Sequence, residues 1–139
     1  VFTQTMPNSI PLIYSGQEEP LLRAIKFFDK DNMDMGKYDR EKFYKTLLFL
    51  RKRTPALSAD ASFRKVNAGD DQAVYAYVRE KDGKKIFVIL NLSNKEQNIT
   101  VADQSLLGKP FNVFRHLEEP LTNKPWKMGP WGYVVFQYN

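Results

Sequence analysis

The chain has no cysteine and a single histidine, His116, among its 139 residues. The first absence excludes disulfides and thiolate metal sites, and leaves the redox compartment, and with it the localisation, undetermined. The second argues against a zinc site or a nucleophile–histidine pair, because neither a second imidazole nor a thiol is there to complete one. No apolar run approaches the ~18 residues of a membrane span, and no charged-then-apolar leader opens the chain. The start at Val1 instead of methionine reads as that of a piece cut from a longer protein, so a leader could precede it. Internal repeats and low-complexity tracts are also missing.

What is present suits a folded domain. Apolar residues make up 42% of the chain and aromatics 14%, well inside the globular range. The length allows a real core but falls short of a whole catalytic (β/α)8 barrel, which takes roughly 250 residues. Lysine and arginine outnumber acidic residues 21 to 16, scattered except for Arg51-Lys52-Arg53, which suits the negative end of a helix dipole. Single-strand nucleic-acid binders interleave aromatics with clustered basic residues. That pattern is missing, so neither nucleic acid nor membrane is expected as a partner.

Along the chain, Pro11-Leu12-Ile13-Tyr14-Ser15-Gly16-Gln17-Glu18 reads as a short apolar strand that stops at a glycine and presents an amide and a carboxylate. The segment through Gly36 lacks a clean period and reads as a loop with room for one helical turn. Asp39 is placed to cap a helix carrying Glu41 in its first turn and Phe43, Tyr44, Leu47, Leu48 and Leu50 at helical spacing, ended by Thr54-Pro55. From Ser58 the period becomes two. Val74, Ala76 and Val78 alternate with Tyr75, Tyr77 and Arg79, Asp82-Gly83 turns the chain, and Ile86–Leu92 returns as a hairpin partner. Further strands are expected at Phe63–Val66, Gln97–Val101, Phe111–Phe114 and Tyr133–Tyr138. The fold class is therefore mainly β, an antiparallel β-sandwich over residues 58–139, preceded by a helical part over 1–57. A lone parallel-type strand in that first part needs partners on both edges.

Taken in order, Ile10 to Glu18, the helix ending Leu48-Phe49-Leu50-Arg51-Lys52-Arg53-Thr54-Pro55-Ala56-Leu57, the strand Val88-Ile89-Leu90-Asn91-Leu92-Ser93 and the late Pro130-Trp131-Gly132-Tyr133 resemble the C-terminal end of an α-amylase family glycoside hydrolase. The resemblance covers essentially the whole chain. It implies that residues 1–57 are the last strand, loop and helix of the catalytic barrel, and residues 58–139 the C-terminal β-sandwich domain. Where family members usually carry a glycine just before Pro11, this chain has Ser9 and Ile10. The family's catalytic carboxylates sit on earlier barrel strands, and nothing here matches their motifs. Retaining hydrolysis needs two carboxyls about 5 Å apart, so the chain alone is expected to be inactive and its parent to act on α-linked, starch-type glucan. The implied partners are the missing N-terminal barrel of the same polypeptide and, through the parent, α-glucan. An uncovered barrel surface would also let the piece self-associate.

Several residues carry alternative readings. Gln17 and Glu18 either support the sugar pocket of the parent, as side chains at the C-terminal ends of barrel strands do, or simply hold their own loop by hydrogen bonds. Trp126, Trp131 and Tyr133 either offer flat faces to sugar C–H surfaces, which would make the chain a non-catalytic carbohydrate-binding module, or plug one end of the sandwich. The latter is favoured for Trp131 in its Gly-Pro-Trp-Gly turn. Asp29, Asp31 and Asp34 invite calcium, which occurs in many relatives. An EF-hand count from Asp29, however, meets Met33 at an oxygen-ligand position, Asp34 at the glycine and Arg40 at the glutamate. No cofactor is expected, and no metal ligand is assigned.

Overall fold

The switch of hydrophobic period near Ser58 coincides with the passage from helix to sheet. A computed structural model describes residues 1–138. In chain order these form helices α1 (Phe2–Thr5) and α2 (Glu41–Arg53), then strands β1 (Ser62–Val66), β2 (Val74–Lys81), β3 (Lys84–Asn91), β4 (Gln97–Ile99), β5 (Phe111–Asn112), β6 (Leu117–Glu118), β7 (Trp126–Met128) and β8 (Tyr133–Tyr138). A six-stranded antiparallel sheet runs β1-β2-β3-β8-β5-β6, and β4 pairs with β7 in a separate ribbon. The β2–β3 hairpin turns at Asp82 and Gly83, both with positive φ, 52° and 71°, as a two-residue turn of type I′ requires.

Both faces of the six-stranded sheet are buried. Ala76, Val78, Phe87, Ile89 and Phe136 meet Ile99, Leu106, Leu121 and Met128 from the ribbon and its flanking loops, which completes the sandwich. On the opposite face Tyr77, Ile86, Val88 and Val135 pack with Leu50, Ala56 and Leu57. The helix stripe thus docks on the sheet instead of lying exposed, and contributes to a core shared across the change of period. The alternation in β2 separates these two sets.

Three local readings differ from the structure. Pro11–Tyr14 belongs to no sheet, because the strands of this chain are engaged with one another in antiparallel pairs and leave no parallel neighbour for it. The loop of residues 20–36 contains no helical turn. Helix α2 starts at Glu41 after Arg40, without a side-chain cap, so Asp39 stands one residue outside the capping position. Strands β6 and β7 are additions: two or three residues are too few to show a period.

Candidate functional site

The loop of residues 14–19 is a closed turn. Gln17 Oε1 accepts from the Tyr14 amide at 3.1 Å and Glu18 Oε2 from the Gly16 amide at 3.1 Å. Each side chain named in the sequence thus accepts one hydrogen bond from the backbone of its own turn. Gly16 has φ 92°, and a Cβ there would lie 2.9 Å from Met33 Sδ, so the turn needs glycine. The neighbouring Glu19 accepts from the amides of Gly36, Lys37 and Tyr38. Those bonds, with Gly36 foremost, hold its carboxyl below the usual range. The Glu18 carbonyl takes the Arg40 amide at 3.0 Å, tying the loop to the start of α2.

The acidic stretch beyond is occupied by internal bonds. Arg23 donates to both oxygens of Asp31, each at 2.6 Å, and the Lys26 amide adds a third bond. The Arg23 guanidinium first, then that amide, pull the Asp31 carboxyl down to about 2. Asp31 is thus committed to an arginine, and among the described residues no group of three acidic or imidazole side chains could hold a metal.

Residues 1–9 are held by two arginines that the sequence did not single out for this, Arg79 on β2 and Arg51 on α2. Arg79, with no exposure, donates to the carbonyls of Ser62 (3.0 Å), Thr5 (3.0 Å), Ser58 (2.6 Å) and Ala61 (3.3 Å). Arg51, read from sequence as part of a solvated helix end, turns inward to the carbonyls of Gln4 and Ser9. Thr5 Oγ1 and Tyr77 Oη share a hydrogen bond of 2.5 Å. The signal for Arg79 was its place in the same alternating set as Tyr75 and Tyr77. For Arg51 there was none, since three consecutive cations at a helix end look alike.

The three aromatics divide between two depressions. Trp126, half-buried on β7, lines a groove of about 470 Å³ together with Tyr133 on β8, Phe114, Asn112, Arg115 and Glu119. Tyr133 packs edge-on against Phe114, centroids 4.9 Å apart and planes at 69°. Trp131 lies in a second depression of about 260 Å³ beside Phe2, Phe43 and Leu92, which Tyr133 also borders. Trp131 is 64% exposed, contrary to the packing role favoured for it. Its turn is held by the backbone and not by the indole: Asn91 Nδ2 donates to the Met128 and Gly129 carbonyls, and the Trp131 amide to the Ser93 carbonyl at 3.0 Å. Trp131 itself has φ 56°, a left-handed conformation that bulky residues rarely adopt.

The described residues form an antiparallel β-sandwich with helix α2 packed on its outer face. A family model described as "Maltogenic Amylase, C-terminal domain" matches residues 63–135, and the chain belongs to that family. Among solved structures, a noncanonic maltogenic α-amylase, AmyB, from Thermotoga neapolitana superposes with a TM-score of 0.77 at 16% identity. That match covers 99% of this chain and 34% of the other and shows the fold. The trehalulose synthase MutB from Pseudomonas mesoacidophila MX-45 matches with a TM-score of 0.54 and 25% identity, over 69% of this chain and 17% of that one. The chain therefore spans about a third or less of the solved structures it matches. No curated protein matches it by sequence.

Proposed function

We propose that this chain is the C-terminal part of an α-amylase family glycosidase acting on α-linked glucan, and that it performs no hydrolysis by itself. On this reading residues 1–57 are the end of the catalytic barrel, and residues 58–139 are a sandwich that steadies it. Gln17 and Glu18 belong to a loop whose shape supports the sugar pocket of the parent. The observation that carries the reading is the family match over residues 63–135. The bond from Arg79 of β2 to the Thr5 carbonyl supports it, since it ties the sandwich to the segment leading into the 14–19 loop.

A reducing-end assay of the purified chain on soluble starch and maltooligosaccharides is expected to read no release above buffer. Turnover that survives repurification would overturn the proposal.

A further inference from the structure

We propose that the groove between α2 and the turn joining β5 to β6 docks an acidic segment of a partner protein, with an apolar side chain on its floor and a carboxylate at each end. The groove holds about 640 Å³, more than either depression beside the tryptophans. On the helix side it is lined by Lys42, Lys45, Thr46, Phe49 and Arg53. Spacings of three and four residues put them in one stripe along α2. Phe49 is 52% exposed, and Leu50, Phe111 and Val113 continue the apolar floor from it. A large aromatic left open between cations is surface that nothing in this chain covers.

The free charge of the groove has one sign. Glu41 is the acidic residue among those lining it, and it pairs with Lys45 one turn along α2. Lys42 and Arg53 have no carboxylate partner among the described residues. The Arg53 guanidinium lies over the Phe49 ring, 5.4 Å from its centre. Such stacking orients the group and leaves the donors on its edge for a carboxylate. Thr54, beside it in the same wall, is 5% exposed and its hydroxyl has no hydrogen-bond partner. An unmet buried donor is costly, so this end of the groove lacks an acceptor twice over. From Lys42 to Arg53 the helix rises about 16 Å, a span that one small anion does not bridge. An extended segment of about six residues does, at roughly 3.3 Å a step, and its middle then lies over Phe49. Charge complementarity and span together select an acidic segment with an apolar centre.

His116 also lines the groove and is the single histidine of the chain, so its imidazole proton signals report this site alone. The probe is an acetylated and amidated hexapeptide with glutamate at both ends and Phe-Leu at its centre. Titration is expected to shift the His116 signals and the amides of residues 46–54 saturably, with a Kd on the order of 1 mM or below at low salt. Phe49→Ala and Arg53→Gln, both at exposed positions, should each weaken binding about tenfold with the melting temperature unchanged. Lys95→Gln, an exposed cation outside the groove, should leave binding as it is. The proposal is overturned by an absence of saturation in the millimolar range, by full affinity in both groove variants, or by equal binding of the same peptide with lysine ends. Equal binding of phenylacetate, which would make this a small-anion site, or of a short oligothymidylate, which would make it a nucleic-acid site, overturns it as well.

Discussion

Arg79 is a guanidinium at the centre of the molecule with four carbonyls and no carboxylate around it. Arg79→Met keeps the apolar stem and withdraws every donor, so those carbonyls lose their common partner. Urea unfolding is expected to show a loss of at least about 2 kcal/mol, the scale of a hydrogen bond to a charged group. Arg79→Lys, which keeps the charge but not the planar fork, should recover only part of it. An unchanged midpoint in both variants would mean that the clamp contributes nothing. Tyr77 gives a pH dependence. Burial pushes its phenol up to about 12, above the ordinary value near 10. Stability from this group is then fully present below about pH 10 and is lost as pH rises towards 12, by about 2–3 kcal/mol. Thermal melts across that range, with tyrosinate absorbance followed in parallel, should show the decline in the native chain and a shallower one in Tyr77→Phe. At this scale the alternation of β2 was legible. That both of its faces are buried was not, because a period of two sorts side chains by face without saying what covers each.

Among the elements, the β2–β3 hairpin could be read almost to its ends, since Asp82-Gly83 states its own turn and eight residue pairs repeat the alternation. Pro11–Tyr14 carries an equally apolar composition and forms no strand, because pairing depends on neighbours that composition does not describe. Helix α2 was legible through its stripe. Its docking surface was not, as Leu50 could have faced either a barrel or the sheet. Leu50→Ala, in the cluster shared with Tyr77 and Val88, should cost about 2–5 kcal/mol in urea unfolding. A loss under 1 kcal/mol would place α2 outside the cooperative core. Between the clamp and the helix, Phe27 and Phe28 are 89% and 94% exposed with few backbone hydrogen bonds around them, which marks a segment of low local stability. Brief chymotrypsin treatment is expected to nick this stretch first and leave the sheet intact. Early cleavage within β2 or β3 would contradict it.

At the scale of the whole molecule, Leu12, Leu22, Phe27 and Phe28 are each largely exposed, and Phe27 and Phe28 meet edge-on, apolar surface of the kind that draws copies together. Sedimentation velocity is expected to show association that grows with concentration and weakens once the 20–38 stretch has been nicked, and a clean monomer throughout would contradict that. The sandwich class was readable from strand spacing, and the family from the ordered series of short motifs. The groove beside β8 was not, since Asn112, Arg115 and Glu119 acquire meaning only when the loop brings them opposite Trp126 and Tyr133. The central claim is that this chain works as one part of a larger α-glucan hydrolase. Its most direct test is a starch zymogram of extract from cells that make the protein, probed with an antibody raised against residues 58–139. The predicted result is an immunoreactive band well above 16.2 kDa that coincides with a zone of starch clearing. A sole band at 16.2 kDa with no clearing would contradict the account.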